Sequence, residues 1–191
     1  MLSSLTEILV NQAICDDYIE EEQHDEYAYA LNLLFNVLIA DISTVIIGVS
    51  MHMVWECVLY WIIYKTMRKY CGGFHFSTSL KCYLSSCIMC PIVLLTIQCA
   101  PYNVLAWSSI AVLATLALFI FSPVAAMNKP LDEQETVMFG RIARIIISVI
   151  ISAYIIAVIS DCYIIAKIIS LAIVSVAVFA VIGKIQLKCH D

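Results

Sequence analysis

Charge is scarce in this chain: Asp, Glu, Lys and Arg make up 13% of it, roughly half the usual share of a soluble domain. Glycine and proline are scarcer still, at five and four among 191 residues, which excludes collagen-like and disordered readings. The ten Lys and Arg form no basic cluster, so nucleic acid is not an expected partner. His24, His52 and His190 stand apart and suggest no metal set, and no cofactor motif is present. The start lacks a basic n-region and a small-residue cleavage site, so no removable signal peptide is expected, and its acidity argues against a mitochondrial presequence. What is abundant is apolar: 63% of residues, with a mean hydropathy of +0.96. Nine cysteines lie mostly inside these apolar runs, where they read as small hydrophobes rather than a disulfide framework.

A bilayer span needs about 20 apolar residues. Six such runs occur, at roughly 27–49, 50–67, 79–99, 103–122, 141–160 and 162–183. The expected fold class is therefore an all-α integral membrane protein of about six transmembrane helices. Residues 1–191 form one membrane-embedded domain in this reading. Leu2, Leu5, Ile8, Leu9 and Ile14 recur near helical spacing, so the first segment reads as an amphipathic interfacial helix. An acidic connection, Asp16 to Glu26, completes this 1–26 segment. Ser50 to His52, Gln98 to Asn103 and Ser160 to Cys162 are expected to be three tight turns.

Positive charge sets the orientation. With the N-terminus inside, Lys65, Arg68, Lys69, Lys81, Lys129, Arg141, Arg144, Lys184 and Lys188 all fall on the cytoplasmic side. Lys167 alone lies nearer the outside, and nine of ten is a strong positive-inside bias. Both termini and both long loops, 68–82 and 123–140, are thus expected in the cytoplasm. Asp41 and Glu56 fall within spans, where an ionised carboxylate costs a few kcal/mol unless paired or wet. Asn32, Asn36 and Ser43 share a stripe that fits either a polar groove or hydrogen bonding between helices.

The segment richest in chemistry is Arg68-Lys69-Tyr70-Cys71-Gly72-Gly73-Phe74-His75, continuing to Cys82. It puts a histidine and a cysteine at one membrane boundary. A cysteine nucleophile needs thiolate character and a nearby base. One continuous helix would hold His75 and Cys82 about 10 Å apart along its axis, so the chain must bend between them. Ser77, Thr78 and Ser79 are N-cap candidates for the third span, with Cys82 in its first turn, where the helix dipole favours a thiolate. Gly72-Gly73 offers flexibility or positive φ to fold His75 back, and room for substrate backbone. On spacing alone a structural loop fits as well. Cys87 and Cys90 form a Cys-x-x-Cys, but their depth in an apolar helix favours packing over redox work.

Arg-Lys-x-x-Gly-Gly-x-His, with a cysteine seven residues after the histidine, resembles the accessory gene regulator protein B (AgrB) family. Those proteins are membrane cysteine endopeptidases of Gram-positive quorum sensing. Ser122 to Pro130 is similar to the family's second inner loop with its Lys-Pro pair. The resemblance implies that Cys82 is the nucleophile and His75 the general base and later acid. Arg68, Gly72 and Gly73 then shape the loop or hold substrate, and Lys129 and Pro130 serve a later step. Cys71 departs from the pattern, and Glu56, Ser77 and Gln98 all stay open as a third group. The implied partner is a short AgrD-like precursor peptide with an amphipathic N-terminal helix and an acidic tail. The tail is cleaved through a Cys82 thioester, which closes to a thiolactone or lactone without a cofactor. Membrane lipid surrounds the protein, and the resemblance favours a homodimer. Two other classes compete: a peptide transporter, which calls for internal repeats or broken helices not evident here, and a membrane thiol oxidoreductase.

Overall fold

The described residues of the computed structural model are 2–74, 78–124 and 132–188. They form seven helices: α1 (Leu2–Cys15), α2 (His24–Ser50), α3 (Val54–Cys71), α4 (Ser79–Cys99), α5 (Val104–Phe121), α6 (Glu133–Ile159) and α7 (Tyr163–Lys188). The expected all-α membrane architecture is what the chain adopts. Residues 1–43 and 44–191 make two compact units, with α2 running through the boundary.

In the first unit, α1 leaves Leu5, Ile8 and Leu9 exposed, as an interfacial helix would. Asp17 reverses the chain at φ 58°, and the acidic connection is exposed as expected. His24, at the head of α2, brings Nε2 to 3.5 Å from Glu7 and Nδ1 to 3.1 Å from Asp25. Asn36 donates to the Asn32 carbonyl at 2.8 Å, so this pair is bonded along its own helix.

In the second unit, α7 is the central element. Ile168, Ile169, Ala172, Ile173, Val176, Ala177 and Ala180 are buried along it, and α3, α4, α5 and α6 pack against it. Its run of alanines lets neighbouring backbones approach closely, the means by which helices associate where lipid removes the hydrophobic drive. The outer faces of the surrounding helices stay apolar and exposed, for example Ile88, Leu113, Ile120 and Val149. Among the described residues, α2, α4, α5, α6 and α7 are long and apolar enough to cross a bilayer. The second expected span, 50–67, falls on α3, which carries Glu56, Lys65, Arg68 and Lys69 in 18 residues. It buries Cys57, Tyr60, Tyr64, Met67 and Cys71 in the bundle instead of offering an apolar surface all round.

All three expected turns are present. His52 (φ 54°) closes the α2–α3 hairpin, where Met53 donates to the Gly48 carbonyl at 2.9 Å. Asn103 caps α5 by accepting from Ala106 at 3.1 Å. Asp161 (φ 54°) sets the α6–α7 turn. Lys167, the exception in the charge count, has a structural use at this end. Its ammonium donates to the Ala100 carbonyl at 2.5 Å and the Ile97 carbonyl at 3.1 Å, capping α4 from α7. Glu56 sits in the first turn of α3, where a carboxylate suits the helix dipole, rather than deep in a span.

Candidate active site

At the other end of the bundle, the segment after α3 is pinned by backbone contacts. Gly72 (φ 70°) and Gly73 (φ 120°) both take conformations that disfavour side chains. Gly72 forms a parallel bridge with Val124. Gly73 donates to the Val124 carbonyl at 3.1 Å, and Val124 donates to the Cys71 carbonyl at 3.0 Å. The first and second loops are thereby stitched together. Phe74 donates to the Phe179 carbonyl on α7 at 2.8 Å. One turn further along α7, a Cβ on Gly183 would meet the Gly73 carbonyl carbon at 2.7 Å.

Arg68, on the last turn of α3, closes the arrangement from inside. Its guanidinium donates to the Gly72 and Phe74 carbonyls and lies 5.1 Å over the Phe179 ring. Charge-assisted bonds of this kind are roughly twice as strong as neutral ones. The glycines thus serve close packing of the chain on itself. A Cβ at Gly72 would collide with the Val124 carbonyl, and one at Gly73 with Arg68 and with the Phe179 carbonyl. The alternatives of flexibility and substrate room give way here, because every N–H from Gly72 to Phe74 has a partner within the protein.

The cysteine arrives from the next helix. Thr78 is the N-cap of α4; its hydroxyl accepts from Lys81 at 3.4 Å and its carbonyl from Cys82 at 3.2 Å. Cys82 is half-buried in the first helical turn, as its spacing from the cap candidates predicts. The structure brings together Arg68, Gly72 and Gly73, and places Cys82 in the first turn of the helix that follows their loop. His75, Ser77, Lys129 and Pro130 lie outside the described residues.

Other candidates are separated from the site. Gln98 is exposed near the far end of α4, about 24 Å along the axis from Cys82. Glu56 is at the opposite end of α3, about 18 Å from Arg68 by the same rise. Cys71, past the apolar run of α3, is fully buried, and burial pushes its thiol up. Cys90 is also buried, with its sulfur 3.5 Å from that of Cys57. Val124, Phe179 and Gly183 are the site components that spacing arguments miss. Gly183 alone left a trace, as a lone glycine in an otherwise strong helix.

These features define a polytopic α-helical membrane protein with a clamped loop and a helix-start cysteine at one end of the bundle. The accessory gene regulator B family matches residues 3–183, and the chain belongs to that family. Two curated relatives are AgrB-like proteins of Clostridium perfringens. The protein of strain SM101 is 22% identical over 71% of this chain and 66% of its own length. A second, from strain 13, is 21% identical over the same shares. The matched segment is thus just under two thirds of each relative. No solved structure matches the chain.

Proposed function

We propose that this protein is a membrane cysteine endopeptidase that removes the C-terminal tail of an AgrD-like precursor peptide and promotes ring closure of the remainder. The observation that carries the reading is the position of Cys82. It lies in the first turn of α4, directly after the segment whose other end Arg68 locks as it leads into His75. The Cys82 sulfur, having given its proton to His75, attacks the carbonyl carbon at the tail junction. The carbonyl π pair moves to oxygen and returns as the C–N bond breaks. The leaving amine takes its proton from the imidazolium of His75, which releases the tail. A Cys or Ser of the peptide then attacks the thioester, its proton passing to the Cys82 sulfur, and a thiolactone or lactone leaves. Exchange of thioester for thiolactone is nearly balanced in bond energy, so ring closure needs no external energy source.

In this reading residues 1–191 act as one membrane-embedded peptidase. The loop end faces the cytoplasm, because nine of ten basic residues fall there. Family likeness also favours a homodimer in the cell membrane. The test is co-expression with an AgrD-like precursor and mass spectrometry of the products. Cys82→Ala and His75→Ala should each abolish cleavage while the protein still inserts in the membrane. Full cleavage by Cys82→Ala overturns the mechanism.

A further inference from the structure

A side-chain amide inside a bilayer needs a protein partner, because hydrocarbon supplies no hydrogen bonds. The helix α2 is about 40 Å long, and Asn32 and Asn36 lie about 12 and 18 Å along it from His24. Both therefore fall within a hydrocarbon core about 30 Å thick, Asn36 close to its middle. Asn36 Nδ2 donates to the Asn32 carbonyl at 2.8 Å and to Asn32 Oδ1 at 3.4 Å. Each carboxamide offers two N–H donors and an acceptor oxygen, so these bonds leave most of the pair's capacity unspent.

The amides also belong to a longer pattern. Asn32, Asn36, Ile39, Ser43, Ile46 and Ser50 follow one another at alternating steps of four and three residues, the seam of a left-handed helix pair. Ile39 is 37% exposed, Ile46 is 61% exposed, and Ser50 is exposed as well. The buried residues of α2, Thr44 and Gly48, sit on the opposite side of the helix from Ile46 and Ser50.

We propose that this seam is an interface with a second copy of the chain, α2 lying parallel to α2 with Asn32 and Asn36 bonded across it. The bias in positive charge gives every copy the same orientation in the membrane, so two α2 helices meet side by side only in parallel. A parallel two-fold pair sets each seam residue opposite its own counterpart. A carboxamide both donates and accepts, so it is complementary to itself, as a carboxylate or an ammonium is not. An asparagine at such a seam also fixes the register of the pair. A peptide helix lying in the membrane interface rides only about 5–10 Å deep, short of Asn36. This rests on the homodimer in the reading above and names its surface; the peptidase chemistry is not involved.

Asn32→Leu combined with Asn36→Leu keeps the span apolar and able to insert. The full chain, purified into proteoliposomes, diluted with lipid and counted by single-molecule photobleaching, should be dimeric. The double variant should dimerise at least about 10-fold more weakly. Photo-crosslinking reports the geometry. Benzoylphenylalanine in place of Ile39 should join α2 to α2 of the second copy, as read by peptide mass spectrometry. The same group in place of Leu34, exposed on the opposite side of α2, should not. Undiminished dimerisation of the double variant overturns the proposal. So does cross-linking from position 34 in place of 39, or capture of an added AgrD-like precursor at position 39 instead of α2. A wild type that stays monomeric overturns the homodimer reading itself, whereas a wild-type dimer indifferent to both asparagines overturns only the α2 seam.

Discussion

Gly183→Ala puts a single methyl between α7 and the loop. That Cβ would lie 2.5 Å from the Phe74 nitrogen and 2.7 Å from the Gly73 carbonyl carbon, and ordinary contact begins near 3.4 Å, so one backbone must move by about 0.9 Å. Neither neighbour is a flexible side-chain end: one is helix α7, the other the loop held by Arg68, Val124 and Phe179. Alanine favours helix over glycine by about 0.8–1 kcal/mol, so α7 itself gains stability. Against this stands the Phe74–Phe179 hydrogen bond, with a net worth of about 0.5–1.5 kcal/mol. The two nearly cancel, so melting temperature should shift little and insertion should be normal. Geometry at the reacting groups is far less forgiving, since about 1 Å of misplacement costs on the order of 100-fold in rate. Precursor cleavage measured by mass spectrometry should therefore fall 10- to 100-fold in a folded protein. Gly48→Ala is the matched control. Its Cβ would meet the Cys57 Cβ at 2.9 Å at the hairpin end of α3, so it should lower stability and spare cleavage. Wild-type cleavage by Gly183→Ala would refute the idea that α7 positions the loop.

The remaining predictions concern the loop thiol, the far end of the bundle and the orientation. Burial raises the Cys71 thiol, so its thiolate is rarer at neutral pH than that of an ordinary cysteine. Peptide-resolved alkylation at pH 7 should leave Cys71 unmodified while Cys82 reacts, and equal labelling would contradict its burial. Lys167→Met removes two charge-assisted bonds to the end of α4 and should cost about 2 kcal/mol of stability without changing kcat. Thermal unfolding in detergent beside a cleavage assay would expose the opposite pattern. A cysteine probe at Asn103 should be labelled from outside intact cells, and one at Lys129 only after permeabilisation. Reversed labelling would place the site on the outer face.

Local physics made much of this protein readable in one dimension. Hydropathy marks the apolar runs because bilayer thickness sets their length, and breaks such as His52 and Asp161 mark the turns. Thr78 and Cys82 are legible for the same reason: a cap and the first turn it starts are neighbours in sequence. Where function and hydropathy disagree, the pattern weakens. α3 reads as a marginal span because Glu56, Lys65, Arg68 and Lys69 interrupt its apolar residues, while Cys57, Tyr60, Tyr64, Met67 and Cys71 are buried in the bundle. Lys167 looks like an error in the charge count until its partners, Ile97 and Ala100, are brought beside it.

What sequence alone determined, then, is what depends on near neighbours and on the membrane as solvent: helix lengths, turns, the cap on α4 and the residues flanking the loop. What only the tertiary structure decided is which distant groups hold that loop. Val124 and Phe179 act through backbone carbonyls, which every residue possesses, so no residue type announces the role. Gly183 matters through an absent atom. Periodicity tells which face of a helix is buried, but not against which neighbour, because that choice is made by packing between segments far apart in the chain.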